Sequence, residues 1–165
     1  MRLTQDEVIK EKLYKSNKHI EKLQDAKEYL GSEVIPLDLD KYLKIDKISS
    51  SFIDQLNFRF SKLQDTMGES IFKAILNLGK ENIKKMTFLD ILNRLEELEI
   101  LDKNRWLRLR EIRNEIAHEY SFNQQEVVDN INMIYNATEE LIGIYITICD
   151  FIEMKFNIRC NRYSK

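Results

Sequence analysis

Chain breakers are scarce in this 165-residue sequence, which holds four glycines and one proline. A β-rich fold of this length needs many tight turns, so the shortage predicts long helices with few connections. Cysteine is nearly as rare. Cys149 and Cys160 are the only two and form no CxxC, which predicts neither a disulfide framework nor a zinc site and points to the reduced thiols of a cytoplasmic protein. Long apolar runs are missing too. Leu141 to Cys149 is the longest, nine residues around Gly143, too short to span a bilayer. The polar start, with no apolar stretch behind its first charges, predicts no secretory signal. There is also no excess of positive charge: 26 Lys and Arg against 28 Asp and Glu give a net charge of −2 with histidines neutral. That excludes a protein that coats nucleic acid non-specifically, and any RNA or DNA contact must be local. Arg105, Arg108, Arg110 and Arg113 form one such local concentration.

What is present suits one globular domain over residues 1–165. Hydrophobic residues make up 43% of the chain and charged residues 33%, too apolar a balance for disorder. Ile9, Leu13, Ile20, Leu23 and Leu30 recur at helical spacing, predicting a first helix from about Gln5 to Leu30 with Gly31 as its stop. A second stretch runs from about Asp38 to Leu78, its stripe being Ile45, Ile48, Phe52, Leu56, Leu63, Met67, Ile71 and Ile75. Ser49-Ser50-Ser51 or Gly68 is expected to bend or break it, and Gly79 to end it. Thr87 suits the N-cap of a third helix, Phe88 to about Leu101. Asp102-Lys103-Asn104 reads as a turn before a fourth helix from about Arg105 to Tyr120. Ser121-Phe122-Asn123 breaks that helix, and a fifth, apolar on much of its circumference, runs from about Gln124 to Phe156. The expected fold is an all-α, up-and-down bundle of about five helices, with Met and Phe residues at helical spacing as core.

The fourth helix departs from plain amphipathicity. At about 100° per residue, Leu109, Ile112, Ile116 and Tyr120 form one stripe, with Trp106 at its edge and Arg113 inside it. A guanidinium on a core-facing line is costly unless it is paired or solvated in a cleft. Asn114 and His118 share the outward face, and an ideal helix separates Arg113 from His118 by about 140°. Acting together on one phosphate would require the helix to deform near its end, or two subunits to share a site. A histidine can move protons near neutral pH, and an arginine can hold a phosphate and stabilise its growing charge. The two suffice for metal-free RNA cleavage by attack of the 2′-hydroxyl. HExxH is absent, and the acidic residues spread along the helices as solvated faces do. No metal or cofactor is implied.

Arg113-Asn114-Glu115-Ile116-Ala117-His118-Glu119-Tyr120 resembles the Arg-x4-6-His motif of HEPN domains. More narrowly, it is similar to the Arg-x4-His-x-Tyr form of HepT-type toxins. The resemblance covers about Ile48 to Phe156 and leaves the N-terminal helix as an extension, the chain being longer than HepT proteins usually are. It implies a HEPN-like bundle and a metal-independent endoribonuclease with Arg113 and His118 as catalytic pair and Asn114 in support. It further implies a homodimer whose two motifs face a shared cleft. Tyr120 would be the tyrosine that a cognate MNT-type nucleotidyltransferase antitoxin modifies with AMP. The alternative within the same resemblance is a non-catalytic HEPN module that binds and assists a nucleotidyltransferase.

Plainer readings stand beside these. His118 can be a surface histidine favoured by the dipole at a helix C-terminus. Arg113 can pair with a carboxylate of another helix, such as one near Glu96, Glu97 or Glu99. Tyr120 can be core with a wet tip. Arg105, Arg108 and Arg110 fit either a solvated face or an RNA backbone contact. His19 reads as a surface residue. A helical interaction protein in which the motif is coincidental would show neither cleavage nor a nucleotidyltransferase partner.

Overall fold

Each principal helix starts where a short polar side chain can take up an unpaired N–H of the first turn. In the computed structural model, which describes residues 2–118 and 120–161, Thr4, Asp38, Asp46, Thr87, Asp102 and Asn123 all do this. Thr4 and Thr87 form reciprocal capping boxes with Glu7 and Asp90. The helices are α1 (Gln5–Glu33), α2 (Leu39–Leu43), α3 (Lys47–Thr66), α4 (Phe72–Leu78), α5 (Phe88–Glu97), α6 (Lys103–Glu115) and α7 (Gln124–Phe156). A π turn, Met67–Ile71, joins α3 to α4 without a break, so the described residues form six helical bodies. No strand occurs among the described residues. Nor is any described helix long and apolar enough to cross a membrane. The molecule is an all-helical bundle.

Several boundaries differ from the sequence expectation, each for a physical reason. Gly31 does not stop α1, which continues to Glu33. A Cβ at Gly31 would collide with the Tyr135 hydroxyl, so this glycine serves a close approach between α1 and α7. The break before α3 falls at residues 44–46 rather than at the serines. Asp46 accepts from the Ser49 amide at 2.8 Å and from the Ser49 hydroxyl at 3.0 Å, which makes Ser49 part of the cap. Gly68 does mark an irregularity, the π turn, where a Cβ would stand 3.2 Å from Trp106 Cζ2. α5 ends at Glu97, short of Leu101, because Glu99 turns left-handed (φ 58°) and sends Ile100 and Leu101 back into the core. α6 begins at Lys103, earlier than expected, because Asp102 accepts from the Arg105 amide at 3.0 Å. α7 keeps its expected limits.

α1 packs chiefly on α3, while α7 lies against both α3 and α6. α1 adds Ile9, Leu13, Ile20, Leu23, Ala26 and Leu30 to the same core that holds Phe60, Phe72, Trp106 and Tyr145. Trp106 is fully buried and edge-on to Phe72, with ring centroids 4.6 Å apart. Ile48, expected in the α3 stripe, is exposed instead. Both cysteines are buried. α1 is tied to residues 160–161 and to α7. Asn17 donates to the carbonyls of Cys160 and Asn161 at 2.7 and 3.2 Å and accepts from the Tyr145 hydroxyl at 2.7 Å.

Candidate functional site

Arg113 sits on the last turn of α6, facing α3. Its Nε and one terminal nitrogen donate to the two carboxylate oxygens of Asp65, both at 2.9 Å. The side chains are 32% and 31% exposed, so the pair is half-buried and of the two-pronged kind that fixes a guanidinium in direction as well as position. The Asp65 bonds raise the Arg113 pKa above its ordinary value against the opposing effect of burial, and Asp65 and Glu69 add charge attraction. The guanidinium therefore stays charged. Its partner is not one of Glu96, Glu97 or Glu99: Glu96 accepts from the Lys103 amide and Glu97 pairs with Arg94.

The ion pair stands between two open grooves. One, of about 510 Å³, is lined by Arg110, Asn114, Lys73 and Glu69 beside the pair. The other, of about 460 Å³, runs past Phe58, Lys62, Ala117 and Tyr120. Of the three other arginines, Arg110 alone shares a groove with Arg113, its guanidinium 4.5 Å from the centre of the Phe88 ring. Arg105 turns to α7 and binds Glu140 at 2.9 Å. Arg108 is exposed.

Beyond Glu115 the chain tightens into a 3₁₀ turn, Ile116–His118. Asn114 and His118 are both exposed. The Ser121 amide donates to the His118 carbonyl at 3.0 Å, turning the chain out of the helix. Tyr120 consequently leaves the stripe expected for it and is 88% exposed. Phe122 beside it is fully exposed. Glu119, quoted in the motif, lies outside the described residues. The tightening does not unite Arg113 and His118: two steps of about 100° and three of about 120° leave them about 160° apart. His118 lines neither groove. The structure thus brings Arg113 together with Asp65, Glu69, Asn114 and Arg110, and leaves His118 exposed and outside both grooves.

Asp65 and Glu69 were not singled out from the sequence; they read as part of a solvated face. The signal for them was indirect, since Asn57 and Gln64 fall among apolar residues at helical spacing and both are buried, which marks that part of α3 as a polar seam. His19 also differs from its surface reading. It is half-buried, and its Nδ1 lies 3.0 Å from an Arg59 terminal nitrogen. Burial, then Arg59 and Lys62, hold its pKa below the ordinary 6.5. Among the described residues no three His, Cys, Asp or Glu side chains converge as a metal site. Comparison with protein-family models, with curated proteins and with solved structures found no match to this chain.

Proposed function

We propose that the protein is a cytoplasmic HEPN-type endoribonuclease of the HepT kind, the toxin of a pair whose antitoxin is an MNT-type nucleotidyltransferase. The observation that carries the reading is the division of labour within Arg113–Tyr120. A guanidinium is fixed by Asp65 between two grooves, while Asn114 is exposed on the last turn of α6 and His118 and Tyr120 are exposed on the turn that follows it.

In this reading His118 withdraws the proton of a 2′-hydroxyl, and that oxygen attacks the adjacent phosphorus. The phosphorus–5′-oxygen bond breaks and the departing oxygen takes a proton from water, leaving a 2′,3′-cyclic phosphate and a 5′-hydroxyl. Arg113 stabilises the charge on the pentacovalent phosphate. One copy holds the two side chains about 160° apart, so the site takes its histidine and arginine from two copies in a homodimer. Exposed Phe58 at the rim of the Arg113 groove offers apolar surface for that contact. An exposed Tyr120 hydroxyl is accessible to an enzyme that transfers AMP.

One observation favours a second reading. Two donors of Arg113 are already committed to Asp65, as suits a non-catalytic HEPN module that binds and assists a nucleotidyltransferase. Cleavage of a mixed RNA pool in EDTA separates the two, with the wild type beside Arg113→Ala and His118→Ala and intact mass checked for added AMP. Cutting by unmodified wild type, lost in both variants, supports the ribonuclease. Unmodified, folded protein that cuts nothing refutes it in favour of the binding module.

A further inference from the structure

Arg105, Arg108 and Arg110 of α6 read alike in sequence, and the structure separates them. Arg105 is engaged by Glu140 at 2.9 Å, in a groove whose other charged walls are Glu96, Glu99, Asp102 and Glu139. Arg108 is exposed and lines neither groove of Arg113. Arg110 is exposed too, but its guanidinium lies 4.5 Å from the centre of the Phe88 ring and forms no ion pair with a carboxylate among the described residues. The ring is held in its turn. Phe88 opens α5 behind the Thr87–Asp90 capping box and packs, partly buried, against the core. An arginine laid on an aromatic face is restrained while its N–H donors are not used up by the contact, so it loses less conformational freedom when it binds an anion.

Arg110 and Arg113 line one groove from adjacent turns of α6, where Cβ atoms three residues apart stand about 5–6 Å from each other. Asp65 grips Arg113 from the side, through Nε and one terminal nitrogen. A guanidinium has five N–H donors, so the other terminal nitrogen keeps both of its own without a partner among the described residues. The remaining cation of the groove is Lys73, and its carboxylates are Asp65, already engaged by Arg113, and Glu69. Cations outnumber carboxylates there, and two arginines on one wall have donors open. That wall suits an anion with more than one charged group. A phosphodiester strand presents such groups at regular intervals, and guanidinium forks match them. We propose that Arg110 holds a phosphate adjacent to the one that Arg113 engages, so that this groove carries the RNA backbone. The proposal rests on the ribonuclease reading above and says where the strand lies beside the cut.

The test is binding of a short fluorescein-labelled single-stranded RNA, methylated at its 2′-hydroxyls so that it cannot be cut. Anisotropy is followed across a salt series for the whole chain as wild type, Arg110→Ala, Arg105→Ala and Arg108→Ala. Each variant removes one exposed positive charge, so a general charge effect would weaken all three equally, and melting curves check that each is folded. One lost phosphate contact on a single strand lowers the slope of log affinity against log salt by about 0.7, which is about fivefold in affinity at about 0.1 M. That loss is expected in Arg110→Ala, with little change in Arg105→Ala and Arg108→Ala. It should be alike for a uridine homopolymer and a mixed sequence, because backbone contacts carry no base information. Equal losses in all three variants, a loss confined to one sequence, undiminished binding in Arg110→Ala, or a wild type that binds neither RNA overturns the proposal. Cleavage of unmethylated RNA in EDTA keeps the two readings apart. A wild type that cuts, beside an Arg110→Ala that binds equally well, keeps the ribonuclease and loses this contact. Binding that falls in Arg110→Ala, beside a wild type that cuts nothing, keeps the contact and loses the ribonuclease.

Discussion

The Arg113–Asp65 pair makes an energetic prediction that is independent of catalysis. Exposed ion pairs contribute about 0–1 kcal/mol and breaking buried ones costs about 3–5 kcal/mol. With both partners roughly one-third exposed and two 2.9 Å bonds between them, a coupling of about 1–2 kcal/mol is expected. The two single substitutions should not cost the same. Asp65→Ala leaves Arg113 with the attraction of Glu69, already among the charges that favour its protonated form. Arg113→Ala leaves Asp65 and Glu69 one helical turn apart with no cation between them. Like charges at that spacing repel by about 0.2–0.5 kcal/mol, so Arg113→Ala should be the more damaging by a few tenths of a kcal/mol. The assay is urea unfolding of the wild type, both single variants and the double variant, combined as a double-mutant cycle. A loss of about 1–2 kcal/mol corresponds to about 2–8 °C in melting temperature for a chain of this length. A coupling below about 0.3 kcal/mol, or Asp65→Ala costing more than Arg113→Ala, would refute the reasoning.

Two glycines should respond oppositely to alanine. Gly143 lies in the interior of α7 with open space where a Cβ would project, so Gly143→Ala is expected to stabilise by about 0.5–1 kcal/mol in the same unfolding assay. Gly31→Ala drives a methyl into the Tyr135 hydroxyl and should destabilise by about 1–3 kcal/mol, with the double change Gly31→Ala/Tyr135→Phe recovering part of the loss. His19 has a pKa held below 6.5 in the folded chain. The unfolded chain therefore binds its proton first as pH falls, and stability present above pH 6.5 is lost below it. Melting at pH 7.5 and 5.5 should show a larger acid-induced drop for the wild type than for His19→Gln, and equal drops would sink the idea.

The helices were legible because their signals are local. Thr87 before Phe88 and Gly79 after Leu78 each act within one turn, and the apolar periodicity of 124–156 repeats from turn to turn. Gly31 misled because a glycine can serve a neighbour rather than its own backbone, and the neighbour, Tyr135, is more than a hundred residues away. Arg113 could be seen from sequence to need a partner, since it interrupts an apolar stripe. Which carboxylate met it depended on the packing of α6 against α3, which no local pattern records. Tyr120 was placed by extending a helix that ends five residues earlier, at Glu115. Asn57 and Gln64 were visible only as polar letters in an apolar register; their burial follows from what packs over them.

The knot of Asn17 with the carbonyls of Cys160 and Asn161 also sets a clock on biosynthesis. The two sides of that contact are separated by 143 residues, and at about 5–20 residues per second a ribosome takes roughly 7–29 s to supply the second after the first. Asn17 waits through that interval for the Cys160 carbonyl, while the Tyr145 hydroxyl, which also bonds the Leu13 carbonyl, follows Asn17 by 128 residues. Residues 160 and 161 are therefore the ones that lock the first helix, and a nascent chain stalled short of residue 160 would carry an Arg113–Tyr120 segment on a bundle in which that tie is still unmade.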